Sequence, residues 1–140
     1  MDTTIHELIQ FSLAPVFLLT AISAILGVLS NRLIRIVDRS REIDKLVATT
    51  PDAVDANLRL ERLLLRRRSR LTNWAISLCV TSIFLVSLAI VVLFASAYVE
   101  RLPVLWIALI FACALLALMA GLALFLREVY LATANLRIHA

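Results

Sequence analysis

A chain of 140 residues that is 62% hydrophobic and only 17% charged cannot cover a soluble core with polar surface, and its net charge of +4 comes from 14 basic against 10 acidic residues. Leu8–Asn31, Leu71–Val99 and Leu102–Leu126 contain no Asp, Glu, Lys or Arg, in runs of 24, 29 and 25 residues. At about 1.5 Å per helical residue each run crosses roughly 30 Å of hydrocarbon. The composition therefore excludes a soluble domain and predicts an all-α membrane protein of one domain, residues 1–140, with three transmembrane helices.

The chain begins with Thr4-Ile5-His6-Glu7, which has the spacing of a capping box and predicts a helix start. Pro15 suits the first turn of a helix better than its middle. The expected elements are thus a short interfacial helix over 4–14, bending at Ser12–Pro15, and a first span over 15–31; one kinked helix is the alternative. The first apolar run has no basic residue before it and is longer than a signal-peptide core, so it is expected to stay as an anchor.

Nothing in the sequence stops the helix at the end of the first span. Leu29, Leu33, Ile36, Ser40, Ile43 and Val47 follow the 4-3-4-3-4 spacing of a coiled-coil seam, so the helix should run on for about five more turns. Thr49-Thr50-Pro51-Asp52 breaks it, and Thr50 as N-cap with Pro51 at the first helical position starts a return arm through Arg70. Residues 32–70 are read as a helical hairpin. On the return arm Val54, Leu58 and Leu65 form one apolar stripe that can meet the seam. Leu60, Leu63, Leu64 and Leu71 form another, roughly opposite, which a neighbouring copy of the chain or the membrane surface would cover.

The second span is expected over 71–99 and the third over 102–126, followed by a tail over 127–140. Small residues mark helix contacts in lipid, which gives helices no hydrophobic reason to associate. They fall on one stripe in each span: Thr20, Ser23, Ala24, Gly27 and Ser30; Asn73, Ser77 and Thr81; Ala114, Ala117 and Gly121. Packing explains all three, and a pore lining is the sharper alternative for Thr20, Ser23, Gly27 and Ser30.

Residues 32–70 hold 11 of the 14 basic residues against 6 acidic ones, which places this segment in the cytoplasm, the N-terminus outside and the C-terminus inside. Tyr98 and Trp106 then mark the outer boundary, Trp74 and Tyr130 the inner one. The basic segment has no aromatic residue to stack on bases, so nucleic acid is not an expected partner. Arg32, Arg35 and Arg39, beside Asp38 and Arg41, read as a cytoplasmic collar, solvated and snorkelling to lipid phosphate, or as a cationic ring at a pore mouth. Asp38 is placed to pair with Arg35 or Arg41. Arg66, Arg67, Arg68 and Arg70, just before Trp74, are candidate contacts for anionic lipid at about 1 kcal/mol each.

No charged residue lies inside a span, which argues against a proton relay or a coupled transport site. His6 and His139 are isolated, Cys79 and Cys113 read as packing residues, and with only Gly27 and Gly121 no phosphate loop can form. No catalytic, metal or cofactor site is expected, and the chain is read as no enzyme.

Ser12-Leu13-Ala14-Pro15-Val16-Phe17-Leu18-Leu19, Asn31-Arg32-Leu33-Ile34-Arg35-Ile36-Val37-Asp38-Arg39-Ser40-Arg41, the Arg-rich run before Trp74, and Phe125-Leu126-Arg127-Glu128-Val129 together resemble a family of small bacterial three-span membrane proteins classed as a domain of unknown function. The resemblance covers nearly the whole chain and implies a bacterial inner-membrane location with no assigned activity. The resulting expectation is a homo-oligomeric membrane scaffold or regulator acting through its basic hairpin, with a passive ion channel as the alternative. The protein partner is not indicated.

Overall fold

The structure, a computed structural model, describes residues 2–49, 56–98 and 104–138, with side chains described for 5–49, 56–98 and 104–134. The described residues are helical apart from a turn at Ala97–Tyr98: α1 (Asp2–Thr49), α2 (Ala56–Ser96) and α3 (Val104–Ile138). Each helix is long and apolar enough to cross a membrane. The three expected spans are thus present as one all-helical, multi-pass membrane protein. Side chains of the expected capping box at Thr4, and the break at Thr50 and Pro51, lie outside the described residues.

α1 is a single helix of 48 residues with Pro15 inside it, so no separate helix over 4–14 precedes the first span. Proline removes one backbone donor and crowds the carbonyl four residues back, but leaves the following turns able to propagate. In membrane helices local side-chain hydroxyls help to satisfy the disturbed backbone. Ser12, three residues before the proline, donates from Oγ to the Ile9 carbonyl at 2.8 Å and so satisfies its own hydroxyl within the helix. At the other end of the molecule α3 runs through Arg127 to Ile138, so most of the expected tail continues the third helix.

α2 lies between the other two helices and packs antiparallel against each, while α1 and α3 touch each other far less. The core positions repeat every seven residues: Ile22, Leu29, Ile36 and Ile43 on α1, and Leu65, Thr72, Cys79 and Val86 with Ala75, Ser82 and Ala89 on α2. This is the left-handed packing of knobs into holes, in which a 3.5-residue repeat keeps one seam facing the partner. Ile22, Leu29, Ala75, Cys79 and Leu118 form one core where all three helices meet. Ile36, Ile43 and Leu65, with Val47 and Leu58 against them, form a second core between the charged arms of α1 and α2. The expected 29–47 seam meets the Leu58–Leu65 stripe as read; Val54 lies outside the described residues.

The contact between α2 and α3 is closer than that between large side chains. A Cβ on Gly121 would stand 3.2 Å from the Ala75 carbonyl oxygen and 3.3 Å from Cys79 Sγ, so the two backbones meet here only because the position carries hydrogen alone. Two turns of α2 beyond Ala75, buried Ser82 donates from Oγ to the Ala114 carbonyl at 2.8 Å. The small stripe of α3 is therefore a packing surface, with Ala114 and Gly121 buried and Ala117 half-buried. The expected stripe on α2 is not: Asn73, Ser77 and Thr81 are exposed, and the contact uses Thr72, Ala75, Cys79 and Ser82, one residue round the helix. Thr81 Oγ1 donates to the Ser77 carbonyl of its own helix, so facing lipid costs that hydroxyl little.

Candidate functional site

The apolar spans hold no charge, yet the largest fully buried polar side chain among the described residues is a carboxylate. Glu128 has no accessible surface. It occupies the next core position of α3 after Ala114, Leu118, Gly121 and half-buried Phe125, so the helix register turns it toward α1 and α2. A carboxylate stripped of water is costly unless each oxygen gains strong donors. Arg32 of α1 donates from Nη1 to Oε2 at 2.7 Å, and Arg68 of α2 donates from Nε at 3.0 Å and Nη2 at 2.9 Å to Oε1. Both carboxylate oxygens are satisfied by charge-assisted bonds of ordinary length.

The two arginines reach this point from register positions beside the seams. Arg32 falls between core residues Leu29 and Ile36 and stacks over the Phe125 ring, its Cζ 5.3 Å from the centroid. Arg68 falls between Leu65 and Thr72. Their side chains remain 38% and 29% exposed, so the guanidinium groups join a buried carboxylate to water at the edge of the apolar region. The ion triad ties α3 to α1, helices that otherwise hardly touch, and stands between the membrane core and the core of the charged arms.

Beyond the triad, two further ion pairs cross between the arms on opposite flanks. Arg39 donates from Nε to Glu61 at 3.0 Å and from Nη1 to Glu42 at 2.9 Å. Those bonds, that to Glu42 first, raise its pKa further. Arg62 pairs with Asp44 at 2.6 Å. These contacts are partly exposed and add little individually, but they fix which faces of the two arms meet.

The collar read from sequence therefore separates into different roles. Arg32 turns inward to Glu128, Arg39 bridges to α2, and Arg35 stays exposed without an ion pair among the described residues. Asp38 pairs with neither Arg35 nor Arg41 among the described residues, and the ion pairs of this stretch are made by Arg39, to Glu42 and Glu61. The four expected lipid contacts also divide. Arg68 is taken up by Glu128, Arg67 is exposed, and Arg66 and Arg70 line a groove between α1 and α2 with Val37, Ser40, Arg41 and Ser69. Thr20, Ser23 and Gly27 face away from the other helices and Ser30 is half-buried. A Cβ on Gly27 would meet nothing within 4 Å. Thr20 and Ser23 donate to the carbonyls of Val16 and Leu19 on their own helix.

Glu128 is the residue that reading the sequence missed as a site. A signal was present: it stands seven residues after Gly121 and fourteen after Ala114, on the one stripe of α3 that is built for contact.

A family model described as a protein of unknown function, DUF2721, matches residues 12–138. No curated protein and no solved structure matches the chain. The match runs from just before Pro15 to the end of α3 and includes Arg32, Arg68 and Glu128, so the chain belongs to this family of unknown function.

Proposed function

We propose that the protein is a non-enzymatic scaffold or regulator of the bacterial inner membrane, working as a homo-oligomer, with its charged arms as a cytoplasmic helical hairpin and its N-terminus outside. The observation that carries the reading is the Glu128 triad. A pair of loosely hinged arms would need no buried ion between all three helices, whereas arms that must present a fixed surface at the membrane do. The excess of basic residues in 32–70 supports the orientation. Leu60 and Leu63 support self-association, since they stay 57% and 65% exposed on the face of α2 turned away from α1.

An oligomeric passive channel is the second reading, favoured by the outward stripe of Thr20, Ser23 and Gly27, which several copies can arrange about one axis. Within one chain there is no such path, because Ile22, Leu29, Cys79 and Leu118 fill the centre. Hydroxyls that donate to their own helix, as Thr20 and Ser23 do, are equally at home against lipid. Purified protein in liposomes decides between the two. The scaffold reading expects potassium and chloride fluxes no greater than those of protein-free vesicles. A current whose reversal potential moves toward cations in Arg35→Glu would overturn it in favour of a channel.

A further inference from the structure

Of the arginines that lie between the two arms, Arg32 and Arg68 meet Glu128, Arg39 meets Glu42 and Glu61, and Arg62 meets Asp44. Arg41, Arg66 and Arg70 have no ion pair among the described residues, and all three line one groove. Ser40 and Ser69 add two hydroxyls, Val37 supplies an apolar wall, and no carboxylate takes part. The groove has a volume of about 360 Å³ and lies on the flank of the α1–α2 pair opposite Arg32 and Glu128. That is room for a small polar headgroup rather than for one ion alone.

We infer that this groove binds a phosphate group. Guanidinium groups match phosphate oxygens in fork geometry, and three of them line one groove from two packed helices, so their backbones need no ordering on binding. The inner end of the groove lies at the level of the membrane surface. Arg70 immediately precedes the uncharged run of α2 and Arg66 lies one turn further out, while Arg41, about 15 Å along α1 from Asn31 at 1.5 Å per residue, marks its outer end. A basic pocket between transmembrane helices at this depth is the kind of surface that holds an anionic lipid headgroup, and a free phosphate would use the same donors. The inference rests on the proposal that the arms form a membrane-facing surface, and it is independent of whether the protein conducts.

The test is thermal unfolding of the full-length protein in neutral detergent at constant ionic strength, titrated in one arm with phosphatidylglycerol and in the other with inorganic phosphate. Saturable stabilisation by either probe is expected, and the arm with the lower half-saturating concentration names the source. Arg41→Gln with Arg70→Gln should raise that concentration at least about tenfold, since each lost charge-assisted contact removes a large share of affinity. Arg35→Gln with Arg67→Gln removes the same charge from equally exposed positions outside the groove and should change it by less than about twofold. Should the first variant fail to fold, Ser40→Ala with Ser69→Ala leaves every charge in place and should still weaken binding about threefold or more. Equal weakening by the two arginine pairs, or no stabilisation by either probe, would overturn the site. Liposome flux leaves it untouched, so its failure and that of the scaffold proposal are read separately.

Discussion

At the scale of single residues, Glu128 is the position where the energetics are most one-sided. Its two oxygens accept from Arg32 and Arg68, and the carboxylate itself has no accessible surface. Removing the donors leaves a buried anion alone, whereas removing the anion leaves two arginines that are already 38% and 29% exposed and can turn to solvent. Arg32→Gln with Arg68→Gln should therefore cost about 3–5 kcal/mol of stability, and Glu128→Gln less, about 1–3 kcal/mol. Denaturant unfolding in micelles checks the order. Equal losses would mean that the carboxylate reaches water by another route. The sequence shows why this triad was hard to see: charge pattern alone places Glu128 just past the third uncharged run, among residues read as tail. Only the seven-residue register with Ala114 and Gly121 turns it inward, and which arginines answer it depends on how three helices align, which no local pattern contains.

At the scale of elements, the helices and the arm seam were legible because both follow from periodicity. Leu29 to Val47 keeps one face to its partner whatever the rest of the chain does. The continuity of α1 through Pro15 was legible only as the alternative reading, since proline rules weigh a lost hydrogen bond but not the long apolar helix on either side that outweighs it. The two glycines show the same limit. Both lie on small-residue stripes, yet Gly121 is pressed against the Ala75 backbone and Gly27 faces open space. Gly121→Val should cost about 1–3 kcal/mol through overpacking, while Gly27→Ala should leave the monomer unchanged or stabilise it by up to about 1 kcal/mol. Thermal unfolding of both variants side by side gives the contrast, and a destabilised Gly27→Ala would place that stripe in an interface between copies. The outer leucine stripe has its own test. Leu60→Glu with Leu64→Glu should insert normally but lower the oligomer mass measured by light scattering in detergent, because Leu60 is exposed and Leu64 only half-buried. An unchanged mass would assign these leucines to the bilayer surface.

For the whole molecule, the governing fact is how little of the spans the chain covers for itself. Only 17%, 22% and 17% of the most apolar windows of α1, α2 and α3 are buried, so most of their surface must meet lipid or other copies. The charged arms lie at one end, held to the spans by Arg32, Arg68 and Glu128, and cannot cross the bilayer independently of them. Orientation is therefore a single choice for the molecule, and the cost of translocating eleven basic residues between Arg32 and Arg70 supports the proposed one. An enzymatic reporter fused after Ala140 should be active only on the cytoplasmic side, and a cysteine at Asp2 should react with an impermeant maleimide added outside intact cells. Because α1 and α3 point the same way, the two ends must report opposite sides. Both ends on one side would mean that one apolar helix does not span, and reversed labelling would put the basic arms, and with them the phosphate groove, on the outer surface.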